Sequence, residues 1–433
     1  MRVRNITSWA LVMIGMLGLA TVVQAQTSVT PYSAQGIGNL IRPSLVHNRG
    51  MGNIGIGNGN ALFINYANPA FLYKNNLSSF DVAFSVEQNI MQNEIESISR
   101  TGGGLNYGVF SFPIATNRWA MSIGMIPYSV VGYRIEESID VQGGNGNAIG
   151  RQVIEGDGGT NLISISNGFR VVGNLGVGLR IGYLFGPITE TRTVLLDDPQ
   201  ANRTELEDQI YYSDVIFEPS LSYGFNLGNN TLLNIGATYQ PQMEVRAIRE
   251  LTLRSVPPGN PLLSRIDRLD TIEGNVTLPS RLGVGISIEK SLKYLIGVDF
   301  VTQPWENYQS FTGGSGDNQV VGSNDNMKNS YEVSVGGQYI PDISSVNSYL
   351  ARMAYRMGLF YRNTPFAVED RQITDFGLNL GLSLPMSNLS STNISFEIGN
   401  RGTIEEGLIR ENYFRVSAGI TFNDRWFVRR KFD

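Results

Sequence analysis

The chain has 433 residues, of which only 16% are charged, and its formal net charge is −5. This modest acidic balance indicates no nucleic-acid-binding surface, and the absence of cysteine excludes thiol catalysis and a disulfide framework. His47 is the one histidine, so we expect no enzyme, no metal site and no cofactor.

The first 25 residues have the features of a secretory signal peptide. Arg2 and Arg4 form a cationic start, and Leu11–Ala20 is an apolar stretch too short to span a membrane as a helix. Val23–Ala25 matches a small-residue cleavage site. We therefore expect residues 1–25 to be removed on export, the alternative being a retained N-terminal anchor.

Residues 26–78 precede the first predicted strand and are rich in glycine. Gly50–Asn60 carries isolated apolar residues among glycines and asparagines, and it leads into Ile64–Ala70. The segment is too polar to span a membrane, and glycine permits close packing against a neighbouring wall. A compact hatch folded inside the structure that follows is therefore favoured over a periplasmic tail.

Residues 79–427 fall into about fourteen segments in which apolar residues alternate with polar or small ones. In Leu175–Phe185, for example, every second residue is apolar or aromatic, whereas Gly178 and Arg180 lie on the opposite face. This period of two is typical of β-strands with one apolar face. By itself the pattern fits a soluble sandwich as well as a membrane barrel.

The connections between these segments alternate strictly between long and short. Ala115–Arg118 and Gly228–Asn230 are short. Gln88–Gly103 and Ser129–Gly159 are long. An up-and-down barrel in a membrane sorts its connections in this way, with short periplasmic turns and longer outer loops. Since no apolar run beyond the signal approaches the ~18 residues of a spanning helix, we predict an all-β transmembrane barrel of about fourteen antiparallel strands in the outer membrane.

Several stretches resemble the FadL-like outer-membrane proteins. The glycine-rich stretch ending in Asn68-Pro69-Ala70 is similar to the N-terminal hatch of that family. The segments that resemble internal signatures of its Bacteroidetes branch are Gly182–Gly186, Leu278–Gly285, Gly297–Trp305 and Phe422–Lys431. The resemblance extends from about Tyr32 to the C-terminus, and it implies a fourteen-stranded barrel with an N-terminal hatch in its lumen.

The resemblance also implies a route through the barrel wall. In that family, hydrophobic molecules bind on the outer side and leave sideways through an opening at a kinked third strand. Pro127 lies near the end of the third predicted strand here, and proline removes a ladder donor. Ile126–Val131 is therefore the candidate kink, although an ordinary strand end is compatible with the same residues. The implied ligand or gate candidates are Asn65, Asn68, Pro69, Ala70, Phe71, Pro127 and Tyr128.

Two functions follow from the resemblance. The first is passive transport of hydrophobic compounds such as long-chain fatty acids, with outer-membrane lipid and a hydrophobic small molecule as partners. The second is a plug subunit that occludes the type IX secretion translocon, because the cationic ending resembles relatives with that role. A plug would have a large secretion barrel as its partner and no substrate of its own. The candidates in its basic periplasmic tail, residues 428–433, are Arg429, Arg430 and Lys431.

Overall fold

The computed structural model describes residues 30–143, 146–198, 200–259, 264–314, 319–386 and 390–425. The predicted signal peptide and the tail candidates Arg429, Arg430 and Lys431 lie outside the described residues. No helix in these ranges is long and apolar enough to cross a membrane.

The described residues form a closed antiparallel β-barrel of fourteen strands, which confirms the predicted fold class. In chain order the strands are β1 (Ser78–Gln92), β2 (Ser97–Ala115), β3 (Trp119–Pro127 and Ser129–Gly143), β4 (Gly146–Gly158 and Asn161–Val172), β5 (Leu175–Leu196), β6 (Arg203–Gly228), β7 (Thr231–Gln240 and Met243–Val256), β8 (Arg265–Leu278 and Arg281–Lys290), β9 (Tyr294–Gln303 and Gln309–Gly313), β10 (Ser330–Tyr339), β11 (Ala354–Val368), β12 (Arg371–Pro385), β13 (Ser391–Arg401) and β14 (Arg410–Asp424). A two-residue strand lies at Asn39–Leu40, and the short helices are Pro31–Ala34, Val46–Arg49, Pro69–Lys74, Trp305–Asn307, Tyr349–Arg352 and Glu405–Gly407.

The barrel closes between its first and last strands. β1 pairs with β14 over its whole length, from Ser78 opposite Asp424 to Gln92 opposite Arg410. Every strand runs antiparallel to its neighbours, and the order around the barrel follows the chain. A closed sheet of this kind leaves no free edge between the first and last strands, which is the condition for a sheet in lipid.

The apolar face of the strands points outward. On β5, Leu179 and Ile181 are exposed, whereas Arg180 between them is only 2% exposed. A soluble sandwich would bury the apolar face, so this arrangement excludes that alternative. The exterior therefore presents an apolar belt suited to hydrocarbon, and the polar faces line the lumen.

The connections differ from the predicted pattern in two ways. Most of the predicted connections Gln88–Gly103 and Ser129–Gly159 is strand, because the ladders of β1 with β2 and of β3 with β4 continue outward and so satisfy their own backbone hydrogen bonds. After β10 the strict alternation of lengths is wrong. The inner connection to β11 is long and contains the helix Tyr349–Arg352, while the outer turn to β12 has two residues, Glu369 and Asp370. Both have positive φ, as a tight hairpin turn requires.

Residues 30–77, which we call the hatch segment, lie inside the barrel against the inner faces of its strands. A Cβ atom added to Gly50 would lie 2.8 Å from the Cα atom of Gly381 in β12. One added to Gly57 would lie 2.7 Å from the carbonyl carbon of Gly285 in β8. Side chains at these positions would hold the two backbones apart, so the glycines reflect direct contact between the hatch segment and the wall.

An apolar cluster fills the lumen on the side of the outer loops. Its largest members include Trp305, Tyr308 and Phe366, all of them buried. They pack with side chains from strands β4 to β9, β11 and β12 and with Tyr32 and Ile37 of the hatch segment. In the part of the chain that the structure describes, the region of the lumen around this cluster is packed.

Candidate functional site

The third strand changes its partners at Tyr128. Its inner segment, Trp119–Pro127, pairs with both β2 and β4. Its outer segment, Ser129–Gly143, pairs with β4 on one side and begins beside the short strand Asn39–Leu40 of the hatch segment on the other. Within the described ranges no ladder joins this outer segment to β2. The wall therefore has an opening between them.

The break lies inside the predicted segment Ile126–Val131. Pro127 has no N–H with which to continue a ladder. The N–H of Tyr128 instead donates to the carbonyl oxygen of Thr160 in the gap of β4, at 2.8 Å. The outer half of β3 thus follows β4 inward, and residues 97–107 of β2 have no ladder partner on that side in the described structure.

The opening, which we call the wall opening, is a cavity of about 620 Å³. Leu105 and Met125 on its rim face outward and are 53% and 44% exposed. Gly108 lines it on the same outward face as its cross-strand partner Met125, whereas Val130 and Val131 are buried further in. An apolar molecule bound there would contact both the buried residues Val130 and Val131 and the outward-facing rim.

A smaller cavity of about 100 Å³, the central cavity, lies in the lumen beside residues 39–43 of the hatch segment. Arg180 and Glu218 face it as a buried ion pair with a 2.7 Å separation between nitrogen and oxygen. Pro127 lines both this cavity and the wall opening. The apolar residues that line the central cavity include Leu40, Ile126, Tyr128, Leu162, Ile216 and Phe366.

A third cavity of about 50 Å³, the arginine cavity, lies between the hatch segment and strands β11, β13 and β14. Two arginines of the hatch segment and three of the wall line it, namely Arg42, Arg49, Arg362, Arg401 and Arg415. Among its described lining residues Glu397 is the one carboxylate. Asn106 and Pro127 line it as well as the wall opening. Asn106 is the extra residue of a β-bulge in β2, which buries its side chain beside Tyr107.

A family profile decides the relationship of this chain. The profile of the BamG family matches residues 4–433. The chain belongs to the BamG family. The match includes both the hatch segment and all fourteen strands of the barrel. No curated protein matches the sequence.

Solved structures share the fold of this BamG-family chain. The toluene transporter TbuX of Ralstonia pickettii aligns with a TM-score of 0.56 at 14% identity, over 88% of this chain and 98% of its own. A FadL homologue of Pseudomonas aeruginosa gives 0.56 at 12% identity, over 89% and 98%. The toluene transporter TodX of P. putida gives 0.54 at 12%, over 90% and 100%. The fold is therefore that of the FadL-like outer-membrane barrels, as the sequence resemblance implied.

The structure separates the predicted ligand or gate residues of the BamG-family chain into two groups. Pro127 and Tyr128 line the central cavity, and Pro127 also lines the other two cavities. The five that line none of these three cavities are Asn65, Asn68, Pro69, Ala70 and Phe71. A role in a ligand path stays a prediction for both groups.

The second group joins the hatch segment to strands β5 and β6. The Asn68 side chain accepts a hydrogen bond from the N–H of Ala70 at 3.0 Å and donates one to the carbonyl oxygen of Leu221 at 3.1 Å. The N–H of Ala70 also donates to the hydroxyl of Ser220 at 3.0 Å. A Cβ atom on Gly178 would lie 2.3 Å from the Ala70 nitrogen. Asn68 and Ala70 are therefore in direct contact with β5 and β6, and they attach the hatch segment to the wall.

His47 packs within the hatch segment. Its ring is buried and stacks on Phe63 with 4.5 Å between the ring centroids. Burial and the neighbouring Arg356 hold the pKa of His47 well below its ordinary value of 6.5, so the ring is neutral at neutral pH. Among the described residues, no group of three His, Cys, Asp or Glu side chains has the arrangement of a metal site.

Sequence reasoning missed the charged network of the lumen. The carboxylate of Asp375 pairs with Arg362 at 2.6 Å and with Arg401 at 3.3 Å, and Arg401 also pairs with Glu411 at 3.2 Å. A signal was present, because each of these residues lies on the polar face of a strand whose other face is apolar. Charged residues on the inner face of a barrel need partners, so their positions predict paired groups in the lumen.

Proposed function

We propose that this chain is an outer-membrane channel through which hydrophobic compounds, such as long-chain fatty acids, pass passively. The wall opening between β2 and the outer half of β3 carries the proposal, because its rim is apolar and faces the hydrocarbon. Burial of apolar surface, at about 25 cal/mol per Å², draws such a compound into the barrel. It then reaches the lipid through the wall without crossing water again.

Passage requires the hatch segment to move. The central cavity measures about 100 Å³, whereas sites for drug-sized ligands are roughly 300–1,000 Å³. Residues 39–43 separate this cavity from the arginine cavity and are held by the two-residue ladder to Ser129–Val130 and by a few further contacts. The N–H of Ile41 donates to the carbonyl oxygen of Tyr128 at 2.9 Å, and Arg42 pairs with Glu332 at 3.0 Å. A shift of this short stretch would merge the two cavities and connect them to the wall opening.

Filling the wall opening tests the proposal. Gly108 lines it, and a Cβ atom added there would meet no atom within 4 Å. Gly108 pairs with Met125 on the rim, so we expect Gly108→Trp to place an indole across the lipid-side mouth of the opening without displacing the wall, and to lower uptake of a radiolabelled long-chain fatty acid at least tenfold. The measurement uses cells that lack their own transporter for the compound.

Gly108→Ala is the matched control, since a methyl group leaves the opening wide and should leave uptake unchanged. Heat-modifiable migration on gels shows whether each variant has folded as a barrel. Uptake by folded Gly108→Trp at the wild-type rate would refute a route through the wall.

The second candidate is a plug subunit that closes a type IX secretion translocon. The observation that favours it is the packing beside residues 39–43, where the hatch segment and the wall leave cavities of about 100 and 50 Å³. Affinity purification from native outer membranes separates the candidates. Co-purification with a very large barrel supports the plug, whereas isolation as a lone monomer with bound hydrophobic compound supports the channel.

A further inference from the structure

The arginine cavity contains buried hydrogen-bond donors without acceptors. The Nε atoms of Arg362 and Arg401 and the Nδ2 atom of Asn106 are buried, and none has a partner in the described structure. All three residues line the same cavity of about 50 Å³. A buried donor without an acceptor has lost its hydrogen bonds to water without a replacement, so three around one cavity indicate that an acceptor belongs there.

Arg49 has no carboxylate in direct contact in the described structure, and Glu397 favours its charge only from a longer distance. No described carboxylate oxygen lies within 4.0 Å of its guanidinium, which donates to the carbonyl oxygen of Ser44 at 3.2 Å and to the hydroxyl of Ser417 at 3.5 Å. Burial and the neighbouring Arg415 lower the pKa of Arg49 to about 10, which leaves it cationic at neutral pH. A buried cation of this kind needs a counter-ion.

Of the carboxylates that pair with the other arginines, Glu397 lines the cavity and the rest do not. Asp375 and Glu411 pair with Arg401, and Glu87 pairs with Arg415, yet none of these three acids contributes to the lining. The cavity thus presents five guanidinium groups and one carboxylate, Glu397. Donor groups therefore line both the hatch side and the wall side of the cavity, while most of the carboxylates paired with them lie outside its lining.

We infer that the arginine cavity binds a compact oxyanion, a carboxylate or a phosphate group, between the hatch segment and the wall. The planar guanidinium group of arginine donates two parallel hydrogen bonds to the oxygens of a carboxylate or a phosphate group. A volume of about 50 Å³ accommodates a group of a few atoms, since about 10–15 Å³ of such volume already holds a water molecule. The anion would join Arg42 and Arg49 of the hatch segment to the arginines of the wall.

The oxyanion has two sources that share this chemistry. One is a free anion such as phosphate. The other is the headgroup of an amphiphile whose chain extends past Asn106 and Pro127 into the wall opening, and this source rests on the proposed function. The two sources differ in whether an attached alkyl chain strengthens binding.

Calorimetric titration of the purified chain in a maltoside detergent tests the inference with inorganic phosphate. We expect saturable binding, and a rise in melting temperature that the same ionic strength of chloride does not produce. Arg49→Gln should weaken phosphate binding at least tenfold. Arg192→Gln removes an exposed arginine outside the cavity and should bind as the wild type does. Phosphate binding that is absent, or unchanged in Arg49→Gln, would overturn the inference.

A second variant, Asn106→Asp, tests the same site if Arg49→Gln does not fold. Asn106→Asp supplies a carboxylate from the chain itself and retains the oxygen that accepts from the Ser85 hydroxyl at 2.9 Å. We expect it to raise the melting temperature without phosphate and to abolish the phosphate-dependent rise. A phosphate effect that persists in full in Asn106→Asp would contradict an oxyanion site at this position.

Dodecyl phosphate distinguishes the two sources. Binding at least tenfold tighter than that of inorganic phosphate, with the gain lost in Gly108→Trp, supports a headgroup site with its chain in the wall opening. Equal binding of the two compounds supports a free-anion site and removes support from the channel while leaving the oxyanion site intact. Failure of both compounds to bind overturns the site whatever the outcome of the uptake experiment.

Discussion

Asp299 holds the glycine-rich part of the hatch segment, and its removal should release that part from the wall. The carboxylate accepts hydrogen bonds from three successive backbone N–H groups, those of Gly55 at 2.6 Å, Ile56 at 2.8 Å and Gly57 at 3.3 Å. Asp299→Ala leaves these buried donors without an acceptor. At about 1–2 kcal/mol for each unsatisfied donor, docking of this stretch should weaken by about 3–6 kcal/mol.

Hydrogen exchange of these amides measures the effect directly. Because about 1.4 kcal/mol corresponds to a factor of ten, exchange through local opening should accelerate about 10²–10⁴-fold at Gly55, Ile56 and Gly57. The ladder amides of β1 should exchange as in the wild type. Asp299→Asn retains one acceptor oxygen without the charge and should give a smaller acceleration.

Glu94→Gln removes an exposed carboxylate near an outer turn and is the charge control. Unchanged exchange at Gly55–Gly57 in Asp299→Ala would refute the reasoning, because it would show that glycine contacts alone hold the segment. Equal acceleration in the hatch segment and in the barrel ladders would also refute it, since the loss would then be global.

Two further predictions concern the packing of the hatch segment and its response to pH. Gly178→Val should destabilise the folded chain by about 1–3 kcal/mol through overpacking, because its side chain would meet the Ala70 nitrogen, and a lower melting temperature than that of Gly108→Ala checks this. The folded-state pKa of His47 lies well below 6.5, so the unfolded chain takes up the proton first as pH falls. Its contribution to stability is full above about pH 6.5 and is lost progressively below it. His47→Gln should therefore flatten the fall in melting temperature between pH 7 and pH 5, and a slope identical to that of the wild type would contradict a buried neutral ring.

The arginine cavity shows which contacts could not be predicted from the sequence. Arg401 and Arg415 were recognisable as inward-facing from the alternation of their strands. Their grouping with Arg42 and Arg49 was not, because it depends on where the hatch segment passes through the lumen. Similarly, Asp299 meets Gly55 across 244 residues of sequence, and no local pattern encodes that contact.

The wall opening illustrates the same division. Pro127 indicated a break within Ile126–Val131, since the missing N–H is a property of one residue. Whether the outer half of β3 would rejoin β2 or turn inward depended on the hydrogen bonds that Asn39–Leu40 and Thr160 offer.

The sequence by itself determined the strands, their number and the face that each turns to lipid. Alternation of side chains is a local property of an extended backbone, so the sequence of each strand shows which of its residues face lipid. The tertiary structure alone decided which residues share a cavity, because such contacts join segments that are distant along the chain. The Asn68-Pro69-Ala70 motif was thus visible in the sequence, but its place against β5 and β6, away from Pro127 and Tyr128, came only from the folded barrel.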